Sequence, residues 1–189
     1  MTTLQSADLD QARQYFDYTR GRVIDVTAGL SESQWKFKPA SDRWSIAELL
    51  EHMVMVQERF LGPICEQLAQ APAPPVDRDN RQIDAIVFER IPDRSIKAKA
   101  PEFIEPTGTW TLPAALDRLS RNYERLSEFV ESNPGLREHI LESPPLKIVT
   151  NGAFHTMDGY QWALTVAAHD ERHVRQILEV KADPNYPAG

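Results

Sequence analysis

The sequence predicts an all-α fold, an antiparallel four-helix bundle with a long Pro-rich crossover between helices 2 and 3. Three observations predict it. Apolar residues recur at steps of three and four over four long segments, the period of a helix with one buried face. Between the second and third of these, prolines at positions 72, 74, 75, 92, 101 and 106 forbid a continuous helix. No comparable stretch alternates apolar and polar residues as a half-buried strand would.

The first segment runs from Ser6 to Leu30, with Leu9, Ala12, Phe16, Val23, Val26 and Leu30 on its inward side. A tryptophan-containing connection, SESQWKFKPASDRW, follows. The second helix begins at Ser45, where SIAE is a capping box: the serine hydroxyl accepts from the backbone three residues on, and Glu48 reaches back. Its stripe is Leu49, Met53, Val56, Phe60 and Ile64, and it is expected to fade by Gln70. The proline-rich segment from Ala71 to Trp110 is long enough to line a pocket, and a short helix is expected within it from Arg81 to Arg90. The third helix spans Leu112 to Ser132, facing inward with Leu112, Leu116, Leu119, Tyr123, Leu126 and Val130. After NPGLREHILESPPLKIV, whose LKIV is strand-like but has no evident partner, the fourth helix is expected from Thr156 to Lys181.

At 189 residues the chain is expected to form a single domain, residues 1–189. Net charge is −7, and no lysine/arginine run is present, so a nucleic-acid partner is not expected. The apolar runs are far too short to span a membrane. The stretch MTTLQSADLDQARQ lacks a basic region followed by an apolar core, so a cytoplasmic location is expected. Cys65 is the only cysteine, which leaves nitrogen and oxygen as the donors for any metal.

The chemistry concentrates in VAAHDERHVRQIL. His169 and His173 lie one turn apart, about 40° around the helix axis, and share a face with Trp162, Val166, Ile177 and Val180. Asp170, Glu171 and Arg172 point elsewhere, and surface or interface pairing is the expectation for Asp170 and Arg172. His52 falls between Leu49 and Val56 on the inward stripe of the second helix. Three imidazoles therefore point into one core. Buried and uncompensated, each would lose about 1–3 kcal/mol. Burial favours the neutral form, which is the form that binds metals. Two readings stay open on spacing alone: a shared divalent ion, or hydrogen-bonded structural histidines. HDERH also resembles the HExxH zinc-protease pattern, but Asp170 stands one methylene short of the required base, and the protease reading is set aside.

KPASDRWSIAELLEHM, followed far downstream by HTMDGYQWALTVAAHDERHVRQI, resembles the DinB-like superfamily of metal-binding four-helix bundles. Pro39, Trp44, Ser45, Glu48, His52, His155, Trp162, His169, Arg172, His173, Gln176 and Ile177 fit its pattern, and IKAKAPEFIEPTGTW resembles its central loop. The resemblance maps the family's three metal ligands onto His52, His169 and His173. It implies a divalent ion, Zn or Ni, with open coordination positions. It also implies a small-molecule substrate, handled by a thiol S-transferase using a low-molecular-weight thiol or by a metal-dependent hydrolase, and a homodimer. The alternative is a non-catalytic bundle that binds a small molecule or a partner. Glu48 has a second candidate role beside capping, orienting a ligand from one turn before His52; His155 is a further candidate for such support. Trp44 and Trp162 are expected in the core or a pocket wall. Cys65 faces away from His52 and is not expected to act as a nucleophile.

Overall fold

The computed structural model describes residues 4–96 and 99–188. Residues 1–3 of the N-terminal stretch and Lys97 and Ala98 of the central loop lie outside the described residues.

The chain is mostly helical. Helix α1, Ser6–Thr27, buries Ala12, Phe16, Thr19, Val23 and Val26. It stops three residues before Leu30, where Gly29 takes φ of +68° and turns the chain away. The tryptophan-containing connection holds a short helix, α2, Glu32–Lys36, capped by Ser31 and carrying the buried Trp35. Helix α3, Ile46–Arg59, starts at the expected capping box: Ser45 Oγ accepts from Glu48 N at 3.2 Å, and Ser45 N donates to Glu48 Oε2 at 2.7 Å.

The second helix runs on to Leu68, close to its expected end, but changes its winding on the way. A π-helical turn, Phe60–Ile64, separates α3 from α4, Cys65–Leu68. Pro63 lies inside that turn; it has no N–H to donate, and its ring collides with the carbonyl four residues back, so the ladder widens there. In the proline-rich segment Asp79 caps helix α5, Asn80–Arg90, accepting from Gln82 N at 3.0 Å. Helix α6 occupies Leu112–Ser132, the expected bounds, with Thr111 as cap.

Downstream, a short strand pair joins the mostly helical structure, which remains consistent with the all-α expectation. Ile140–Glu142 (β1) pairs antiparallel with Thr156–Asp158 (β2), Ile140 opposite Asp158. The LKIV run is not a strand; it belongs to helix α7, Pro144–Val149, which Ser143 caps by accepting from Leu146 N. The residues before β2 supply the turn that lets β1 pair: Asn151 and Gly152 take φ of 51° and 84°. Helix α8, Gly159–Lys181, therefore begins three residues later than expected.

Helix α8 is the axis of the molecule. It packs against α1, α3, α5 and α6, while α6 also contacts α1 and α3. Its buried surface is consequently wider than one stripe and takes in Tyr160, Leu164, Ala167, Val174 and Ile177. Asp158 caps it by accepting from Gln161 N at 2.8 Å, and its other carboxylate oxygen is held by the buried Arg137 at 3.0 Å. Gly159 donates its N–H to Leu136 O at 2.7 Å, so close that a Cβ would stand 2.8 Å from Leu136 Cδ2 and 3.0 Å from Leu136 O. Gly159→Ala must push that segment away, and overpacking of this kind costs about 1–3 kcal/mol. Urea unfolding should show the loss; an unchanged midpoint would contradict the close approach.

Candidate metal centre

His52 lies in the second turn of α3, and His169 and His173 lie one turn apart on the face of α8 that packs on α3. Their Nε2 atoms meet. His52 Nε2 is 3.1 Å from His169 Nε2, and His169 Nε2 is 3.0 Å from His173 Nε2. The three donor atoms lie within 4.8 Å of one another, close enough to bind one metal ion. His52 and His173 are buried; the His169 side chain keeps 19% exposure and is the most open of the three.

The opposite ring nitrogens decide what those Nε2 atoms can do. His52 Nδ1 lies 2.8 Å from the carbonyl of Ile104. A carbonyl only accepts, so His52 carries its proton on Nδ1, and Nε2 of the neutral ring is a bare lone pair. His173 Nδ1 faces Gln176 Oε1 at 3.1 Å, with the same consequence. His169 Nδ1 is buried without a hydrogen-bond partner, 3.5 Å from an Asp170 oxygen that also has none. A single proton on His169 Nε2 can serve only one of its two neighbours.

Protonating the rings is opposed by burial. It pushes His52 down to about 4, reinforced by His169, and His169 down to about 3, reinforced by Arg172. It holds His173 well below the usual histidine range, with the two other imidazoles adding to the effect. A cation that accepts lone pairs satisfies all three nitrogens. With metal–nitrogen bonds of about 2.0–2.1 Å, ligand nitrogens at angles between right-angled and tetrahedral stand about 2.8–3.4 Å apart. The two short separations fit that range, and the donor set suits a divalent ion.

The surroundings immobilise the rings. Trp44 stands beside His52, with ring centroids 4.8 Å apart. The segment that supplies the Ile104 carbonyl is tied down by Glu51, the residue before His52. Its carboxylate accepts from Thr107 N at 3.1 Å, Thr107 Oγ1 at 2.8 Å and Gly108 N at 2.7 Å. On the other side, Arg172 donates to the carbonyls of Asp93 and Ile96. Arg94 donates to Gln176 Oε1 at 3.0 Å and forms a two-pronged pair with Glu179. Sequence reasoning missed Glu51. The available signal was an acidic residue directly before His52 and directly after the apolar pair Leu49 and Leu50.

Other expectations require correction. Glu48 is occupied by its capping bond and by Lys38 Nζ at 2.8 Å, so its second candidate role, orienting His52, is not seen. His155 is exposed, with Nε2 3.9 Å from Glu142, on the segment before β2 and away from the three rings. Asp170 is not a surface residue. It is fully buried, and its Oδ2 accepts from Gln57 Nε2 at 2.7 Å and Tyr123 OH at 2.8 Å. Its burial follows from the neighbours that surround α8; a one-stripe wheel cannot describe a helix packed on several sides. Burial pushes its carboxyl up to about 7 even against those two donors. Arg172 is half-buried and bonded to the crossover rather than paired at the surface. Trp162 is in the core, as expected. Cys65 is half-buried, and burial pushes its thiol up to about 11, which leaves it a poor nucleophile.

The family model of the DinB superfamily matches residues 15–177, a span that contains all three histidines. The chain is also similar to the uncharacterized protein YuaE of Bacillus subtilis (strain 168), at 27% identity over 167 residues covering 88% of this chain and 94% of YuaE. No solved structure gives a significant match.

The ring environment sets a pH dependence. His52 ordinarily binds a proton at 6.5 and does so in the fold only at about 4. On acidification the unfolded chain is protonated first. The stability that the neutral His52 ring contributes to metal-stripped protein is therefore full above 6.5 and is lost as pH falls toward 4. Urea midpoints of the metal-stripped protein should drop between about pH 7 and about pH 5, and equal midpoints would contradict the buried neutral rings.

Proposed function

Because this chain belongs to the DinB superfamily, we propose that His52, His169 and His173 together hold one divalent metal ion, Zn or Ni, and that the centre acts on a small molecule. The observation that carries the reading is the meeting of three Nε2 atoms whose rings are buried and neutral, two of them anchored through Nδ1 to acceptors. Imidazole donors suit zinc and nickel alike, so the choice of ion rests with availability and coordination number. We read α1, α3 with α4, α6 and α8 as an antiparallel four-helix bundle in a single domain, and the proline-rich stretch with α5 as its long crossover.

When bound, a divalent ion supplies Lewis acidity that brings a water or a thiol toward ionisation near neutral pH. The chain's own residues do the rest. Ile104 O and Gln176 Oε1 hold the His52 and His173 tautomers, and Trp44 walls the site beside His52. The exposure of His169 gives the side from which a substrate arrives. Transfer of a low-molecular-weight thiol to an electrophile is the first reaction class, and hydrolysis the second. The reading includes a homodimer and a cytoplasmic location; no described helix is long and apolar enough to cross a membrane. A second reading, a structural metal in a non-catalytic bundle, draws on the near-complete burial of His52 and His173.

Metal content tests the site, and turnover separates the two readings. Protein purified without a histidine tag should carry one ion per chain, and His52→Ala and His169→Ala should each fall to background while circular dichroism stays helical. Full metal content in both variants would remove the site. Assays of loaded wild type with low-molecular-weight thiols and electrophilic acceptors should give turnover that the variants lose. Turnover equal in wild type and variants would detach the activity from the centre.

A further inference from the structure

Each ligand ring needs an acceptor for its Nδ1 proton if Nε2 is to face a metal. His52 uses a backbone carbonyl and His173 uses a side-chain amide. His169 has neither. Its Nδ1 is a buried atom with no hydrogen-bond partner, and the facing Asp170 Oδ1, 3.5 Å away, is another. Two orphaned polar atoms that face each other imply a bond made in another state of the site, because each left unmade carries the desolvation cost of a buried polar group.

The rest of the carboxylate is already arranged for that bond. Successive side chains on a helix leave about 100° apart, so a carboxylate does not rest against the preceding ring without help. Here the help comes from two other helices. Gln57 of α3 and Tyr123 of α6 both donate to Asp170 Oδ2 and leave Oδ1 turned to His169. Among the described residues no lysine or arginine lies within 4.0 Å of Asp170. A fully buried carboxylate without a cation is costly. An ion on the far side of the imidazole supplies the opposite charge through the ring.

We propose that Asp170 is the positioning residue of the centre: its Oδ1 accepts the Nδ1 proton of metal-bound His169, fixes the tautomer that presents Nε2, and makes this imidazole the most basic of the three ligands. Gln57 and Tyr123 hold the carboxylate in that orientation. The inference rests on the metal reading above. It goes beyond it by assigning the distinction among the ligands to a network that spans α3, α6 and α8. Closing the 3.5 Å gap by about 0.6–0.8 Å gives the length of a charge-assisted bond.

The test is Zn²⁺ affinity by chelator competition in tag-free full-length protein, together with nitrogen-15 NMR of the histidine rings. Asp170→Asn should lower affinity about 10- to 100-fold. Tyr123→Phe, which removes one tether and keeps the charge, should give a smaller loss. In zinc-loaded wild type, His169 should show a downfield Nδ1 proton that moves upfield in Asp170→Asn, a signature that a merely structural carboxylate would not move. Unchanged affinity in Asp170→Asn, or zinc bound through His169 Nδ1, overturns the inference while leaving the centre intact. Failure of wild type to bind zinc removes the centre itself, and this role with it. Should Asp170→Asn not fold, the displaced His169 signal in Tyr123→Phe carries the test, and an unmoved signal overturns the proposal.

Discussion

Three imidazole Nε2 atoms gathered inside a helical core with too few protons to pair them are the constraint around which this protein is organised. A proton on His169 Nε2 can bridge only one of the two 3.0–3.1 Å contacts, and the lone pair at the other is left without a donor, which the low local dielectric makes costly. The ordinary escape is to take up a proton, but burial makes the imidazolium form unfavourable at neutral pH. Rotating a ring away would break the His52–Ile104 or His173–Gln176 bond. The fold thus holds the rings in an arrangement that only a lone-pair acceptor relieves.

The surrounding chain keeps that arrangement in place. Glu51 and His52 are adjacent on α3 yet act on the same loop: one receives the Thr107 and Gly108 amides, the other donates to Ile104 O. On α8, Arg172, His173 and Gln176 do the corresponding work for the segment from Asp93 to Ile96. The crossover is therefore hydrogen-bonded to both ligand-bearing helices and forms part of the centre. A displacement at Ile104 reaches the His52 ring through one hydrogen bond, and one at Arg94 reaches the His173 ring through two, by way of Gln176.

A separate ionic network fixes the other end of α8. Arg137 binds Asp158 and Asp84 and approaches Asp8 at 3.3 Å; Arg78 binds Gln161 and the Thr156 carbonyl. One cluster joins α1, α5, the β-hairpin and the first turn of α8. Such buried pairs are weak evidence of net stability, but removing one partner strands a charge. Their consequence here is positional, since they set where α8 begins. Its beginning determines which turn of the helix brings His169 and His173 opposite His52.

The sequence by itself determined the helical class, the limits of α6, the capping start of α3, the short helix in the proline-rich segment, and the inward course of His52, His169 and His173. Those features are local: a cap, a 3.6-residue period, a four-residue spacing. The π-helical turn at Pro63 was equally local and went unread because the apolar stripe continues through it. Tertiary structure decided what depends on partners distant in the chain. The strand pairing of Ile140–Glu142 with Thr156–Asp158 has no local signature at three residues a strand. The burial of Asp170 could not follow from a helical wheel, because Gln57 and Tyr123 arrive from other helices to receive it. For the same reason Glu51 and Ile104 entered the centre unannounced: a carboxylate or a carbonyl carries no mark of its role until the packed chain brings a donor to it.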